Sequence, residues 1–171
     1  MAETTQLTIK GLDSVKRNIQ RFGDFAINAI GKVLYVEGET VMSKSKRLVP
    51  VNYGILRSSG RVEPPVYGSK SVSVKLGYGG AAGAYALYIH EGIGPAVGKP
   101  QFMPPVAPFA AWAKRKLGDE SLGFAIARSV GAKGLKPRKY LERPFMERSK
   151  NFTRDFSGKV DRELRAFHAA R

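Results

Sequence analysis

The chain has no cysteine, which excludes disulfides, thiolate zinc sites and cysteine nucleophiles. Histidine is nearly as scarce, with only His90 and His168. No uninterrupted apolar run approaches the ~20 residues needed to cross a bilayer, so no membrane partner is expected. The opening residues, Met1-Ala2-Glu3-Thr4-Thr5-Gln6, lack the basic-then-apolar pattern of a secretory signal, and none is expected. Acid is short as well: 14 Asp and Glu stand against 29 Lys and Arg, a net charge of +15 over 171 residues. Such a field attracts nucleic acid, acidic membrane or acidic protein surfaces without choosing among them. This length predicts one domain, residues 1–171, large enough to bury a core.

What is present reads as an α+β chain. Leu7-Thr8-Ile9-Lys10-Gly11 alternates like a short first strand. From Asp13 to about Lys46 apolar residues recur at steps of three and four: Val15, Ile19, Phe22, Ala26, Ile30, Val33, Val36, Val41. That spacing predicts a long amphipathic helix. Gly23, Gly31 and Gly38 lie inside it and predict a bend or a close packing contact. The helix is longer than one face of a small sheet can cover, so part of it is expected to project or to meet another subunit.

Residues 48–92 read as the sheet-forming centre. Pro50 stops the helix, Asn52-Tyr53-Gly54 turns, and Ile55 to Pro64 is expected as a strand. Ser71 to Gly77 alternates most cleanly, with Val72, Val74 and Leu76 on one face, which predicts an antiparallel strand with one wet side. Gly77 to Gly83 reads as a flexible link, and Ala84 to Ile89 as a buried strand or a helical turn. Prolines 95, 100, 104, 105 and 108 then mark a loop. A short helical pair is expected at about 108–131. A final helix carries the stripe Phe145, Ser149, Phe152, Phe156, Val160, Leu164 and Phe167. The expected architecture is thus a small, mostly antiparallel sheet packed against a long N-terminal and a C-terminal helix.

No constellation for chemistry emerges. His90-Glu91 has Gly94 where a helical zinc-protease signature needs its second histidine, so His90 reads as structural. His168, near the end of the chain, reads as solvated. Carboxylates are scattered, and none forms an acid/base couple or a magnesium site. No cofactor is expected, and the chain reads as non-enzymatic. The second helix of the short pair, Leu122-Gly123-Phe124-Ala125-Ile126-Ala127-Arg128, is too apolar to read bases. Positive charge concentrates in residues 101–150, where 11 Lys and Arg face 4 Asp and Glu. Lys133, Lys136, Arg138 and Lys139 are the candidate contacts to a polyanion or an acidic partner. Non-specific contact with a nucleic-acid backbone remains the alternative function.

Two boxes carry a family resemblance. The first is Val49-Pro50-Val51-Asn52-Tyr53-Gly54-Ile55-Leu56-Arg57-Ser58-Ser59, and the second is Tyr85-Ala86-Leu87-Tyr88-Ile89-His90-Glu91-Gly92. With Ile9-Lys10-Gly11-Leu12 before them and Tyr140-Leu141-Glu142-Arg143-Pro144-Phe145 after, the chain resembles the tail-component proteins of tailed bacteriophages, which complete the tail and join it to the head. Tyr53 and Ile93 depart from the small hydroxyl residues usual at those positions. Pro50, Gly54, Leu56, Arg57, Ser59, Tyr85, Glu91 and Gly92 match the family's structural motif. The resemblance implies a virion protein without enzymatic activity, assembled in the host cytoplasm. It also implies a ring, suspected to be hexameric, between the connector or stopper proteins and the tail tube. Packaged DNA would pass through the lumen of that ring.

Overall fold

A computed structural model of the protein describes residues 12–69 and 71–169. The expected strand at 7–11 lies outside them, as does the side chain of His168. The chain is α+β, with antiparallel strand pairs, a long N-terminal helix and a C-terminal helix. The described residues group into two compact units, one formed by 12–38, 63–69, 71–75 and 151–169, the other by Glu39–Val62 and Leu76–Lys150. Helix α1 (Leu12–Leu48) contributes residues to both.

In the first unit, α1 faces a hairpin of β2 (Val66–Tyr67) and β3 (Val72–Ser73), paired in antiparallel register with Val66 opposite Ser73. The Gly68 N–H donates to the Ser71 carbonyl at 2.8 Å and closes the turn. Gly31 is a contact point: a Cβ there would run into the Tyr67 ring. Helix α7 (Phe152–Ala169) joins α1 through Lys32–Glu163 at 2.7 Å and through Lys159–Glu37. Glu37 is only 3% exposed, so Lys159 supplies the countercharge its burial requires. Ala29 and Val33 are buried, whereas Val15, Ile19 and Phe22, one helical stripe further toward the N-terminus, are exposed.

In the second unit, β1 (Gly60–Val62) pairs antiparallel with β4 (Leu76–Tyr78), Val62 opposite Leu76. The last turns of α1 pack on this pair. The Ser45 and Tyr78 hydroxyls share a hydrogen bond of 2.8 Å, and a Cβ on Gly60 would meet Met42 Sδ at 2.8 Å. Val49, Leu56, Ala82, Ala86 and Tyr140 form the core, with Tyr78, Ile89 and Leu141 against it.

The strand expected over Ile55–Pro64 is mostly a helical turn, α2 (Ile55–Ser59), followed only then by β1. Gly54 enters it at φ 82°. Ser58 and Ser59 then donate to the carbonyls of Ile55 and Leu56, three residues back, at 3.0 and 2.9 Å. Those local bonds satisfy a single turn that extended backbone could not, and they place Leu56 inward. Ala84 to Ile89 belongs to a helix, α3 (Gly83–Glu91), preceded by a 3₁₀ turn at Gly80–Ala82 where a flexible link was expected. Strands therefore occupy only the middle of residues 48–92, and both ends are helical.

Helices α4 (Val106–Leu117) and α5 (Leu122–Lys133) form the expected pair. A Cβ on Gly123 would lie 2.5 Å from Ala110 Cα, so the two backbones touch where they cross. The expected single last helix is divided into α6 (Glu142–Ser149) and α7 at Lys150–Asn151, the boundary between the two units.

Candidate functional site

The two motif boxes meet in the second unit. Leu56 from the first and Ala86 from the second are both buried in the core with Tyr140. The Tyr140 hydroxyl donates to the Ala86 carbonyl at 2.9 Å, and its ring meets Tyr78 and His90 edge-on at 5.0 and 4.9 Å. Burial pushes the Tyr140 phenol up to about 12, so it stays a donor. Gly92 ends α3 at φ 79°, ψ 172°, a region reserved for glycine. A Cβ there would sit 2.6 Å from the Leu135 carbonyl oxygen and 2.9 Å from Pro137 N. This close approach lets Ile93 and Leu135 exchange backbone hydrogen bonds at 3.0 and 2.8 Å. Of the remaining motif residues, Arg57 and Tyr85 are exposed, and Ser59 closes the turn of α2.

Beside that core lies an ion-pair knot. His90, Glu91 and Glu142 bring their ligand-type atoms within 4.8 Å of one another, a spacing compatible with a metal. The countercharge there is Lys139, whose Nζ is 2.6 Å from Glu91 Oε2 and 2.8 Å from Glu142 Oε2. The hydrogen bond from Lys139, then that from His90, holds the Glu91 carboxyl below the usual carboxylate range. Glu142, then Glu91, raises Lys139. Both imidazole nitrogens are engaged. Nδ1 lies 2.7 Å from Glu91 Oε1, and Nε2 accepts from the Glu142 N–H at 3.3 Å. The backbone donor fixes the tautomer, so neutral His90 donates through Nδ1–H. His90 thus closes the start of α6 rather than offering a free base.

On the other side of the same segment is an open groove of about 640 Å³. Pro50, Ile89, Leu135 and Pro137 form its apolar walls. Lys136, Arg138 and Arg143 supply three positive charges. Among the described residues none of these three has an ion pair. Of the four cations singled out from sequence, Lys136 and Arg138 line this groove. Lys139 turns away into the knot, and Lys133, exposed in the last turn of α5, does not line it. Arg143, which the sequence marks only as part of the Tyr140–Phe145 segment, is not among the candidate contacts because it lies four residues beyond the basic cluster.

No family model, curated protein or solved structure matches this chain.

A short cationic groove with proline and leucine walls accepts carboxylate or phosphate oxygens while covering aliphatic surface. Arginine suits this role, because its planar fork grips such groups in two places. Among the described residues no helix is long and apolar enough to cross a membrane.

Proposed function

We propose that this chain is a structural protein of the tailed-bacteriophage neck or tail top. Copies form a ring, hexameric on the family pattern, that completes the tail and joins it to the portal–connector complex, with DNA passing through the lumen. The flanking partners are connector or stopper proteins on one side and the tail tube on the other. The reading rests on the two boxes that resemble the tail-component family. What supports it most is their packing: Leu56 and Ala86 share one core with Tyr140, while Pro50 and Ile89, from the same boxes, wall an open groove. A motif that frames a docking surface suits an assembly protein. The exposed stripe Val15, Ile19 and Phe22 is a further surface that a neighbour would cover. His90 is held at both nitrogens, which suits a structural role better than a catalytic one.

Electron microscopy of particles made without this protein tests the reading. Unjoined heads and tails, or tails of irregular length, are expected. Complete tails joined normally to heads would remove it.

The unpaired Lys136, Arg138 and Arg143 favour a second reading, non-specific contact with a nucleic-acid backbone. It requires affinity that falls steeply on a log–log plot against salt, with a slope of about −0.9 per phosphate contacted. A flat salt dependence would exclude it.

A further inference from the structure

We propose that the basic groove receives the acidic turn between α4 and α5 of a second copy of this chain, making a head-to-tail contact. The inference deepens the ring reading by naming the two surfaces that would meet.

The turn has the complementary chemistry. Asp119-Glu120 is the only pair of adjacent acidic residues in the sequence. It is flanked by Leu117 and Leu122, apolar side chains left 55% and 39% exposed. Two carboxylates between two leucines match three cations between aliphatic walls. A nucleic-acid backbone would satisfy Lys136, Arg138 and Arg143 but would leave Pro50, Ile89 and Leu135 without apolar contact.

The turn is also held in shape. Gly118 leaves α4 at φ 78°, its N–H bonded to the Lys114 carbonyl at 3.1 Å. Asp119 Oδ1 accepts from the Ser121 N–H at 2.8 Å. Glu120 meets Lys114 at 3.0 Å, but both side chains are about two-thirds exposed, so water competes with that pair and a better partner displaces it.

The turn cannot reach the groove of its own chain. Helix α5 has 12 residues, and at about 1.5 Å per residue it spans roughly 18 Å between Ser121 and the Gly134-Leu135 end that walls the groove. The occupant must come from another copy. Groove and turn are different surfaces, so the contact is heterologous: one copy keeps its turn free, the other its groove, and the pair retains one free surface of each kind. Repeated, such a contact closes into a ring or runs on as a filament.

Reciprocal charge reversal tests this on the full chain, with association followed by sedimentation and light scattering at low salt. The wild-type chain is expected to associate with increasing concentration. Arg138→Glu with Arg143→Glu, and separately Asp119→Lys with Glu120→Lys, should each weaken association about tenfold or more. The chain carrying all four changes should recover to within about threefold of wild type, because the charges again match. Circular dichroism checks that each variant folds, and the milder Asp119→Asn with Glu120→Gln should give an intermediate loss. A wild-type chain that stays monomeric up to ~1 mM overturns the proposal. So does a single-side reversal without effect, or a folded four-change chain that fails to recover. An unaffected association constant would reject this contact and leave the ring reading standing. Normally joined particles made without the protein would reject the ring reading and leave the contact standing.

Discussion

The segment Leu135–Arg143 has two sides that carry like charges to opposite ends. On one side Lys139 is held between Glu91 and Glu142, next to a fully engaged His90, and its charge is neutralised within the protein. On the other, Lys136, Arg138 and Arg143 face an open groove with no partner among the described residues. Arg138 and Lys139 are adjacent in sequence, and their backbone N–H groups bond consecutive carbonyls of α3, Ile89 and His90, at 3.1 and 3.0 Å. That anchoring sorts them. Positive charge in a sequence therefore says little about availability until the carboxylates that meet it in space are known. On the knot side charge fixes a loop, and on the groove side it is available for recognition.

The strongest way to break the contrast is to remove what supports both sides. Tyr140, 2% exposed, lies under the knot and in the core. Tyr140→Ala should cost about 3–5 kcal/mol in urea denaturation. Tyr140→Phe removes only the hydrogen bond to the Ala86 carbonyl and should cost about 1 kcal/mol. Gly92→Ala comes next. It forces a side chain into a glycine-only conformation against two backbone atoms, and a loss of about 2–3 kcal/mol in the same assay is expected.

Lys139→Met addresses the knot alone and should destabilise less than either, with the loss shrinking as salt is added. The pH dependence has a definite sign. Glu91 is depressed in the folded state, so its contribution is present above its unfolded pKa and is lost as pH falls through the folded value. Lys139 is raised, so its contribution is present below its unfolded pKa and is lost as pH rises through the folded value. Melting temperature followed against pH should show both losses in wild type and a flatter profile in Lys139→Met; identical profiles would show that the knot adds no stability. The smallest effect belongs to the groove. Arg138→Ala or Arg143→Ala should shift stability by no more than about 0.5 kcal/mol. A larger loss would mean that the groove cations do structural work after all.

Local patterns made part of the fold legible. Val72, Val74 and Leu76 are half-buried while Ser71, Ser73 and Lys75 are exposed, as alternation predicts. The single strand expected over Ser71 to Gly77 is nevertheless broken at Val74-Lys75 into β3 and β4, which pair with different strands in different units, a change of partner that period two does not signal. The long helix follows from its apolar spacing, and Gly31 is indeed a close contact, against Tyr67. Ile55–Ser59 misled because Leu56, Ser58, Gly60 and Val62 also alternate. Period two cannot reveal that serine hydroxyls will return to the carbonyls behind them. The division of the last helix at Lys150–Asn151 has no proline or glycine to announce it, and the phenylalanine stripe runs across it. For the site, Lys136 and Arg138 were legible as positive charge. Glu91 and Lys139, 48 residues apart, were not legible as a pair, because only tertiary structure joins them. The sequence marks composition along a line, whereas the groove selects by direction.

Gly123 has a mechanical consequence. With α4 and α5 in backbone contact at Ala110, the hairpin they form cannot flex by side-chain repacking alone. Its tip, Gly118 to Ser121, is then carried as a stiff prong. A stiff prong loses little freedom when it inserts, so ordering it would offset less of the contact's affinity. Loosening that crossing should therefore shorten the lifetime of an assembled contact even when every charge at the tip is unchanged.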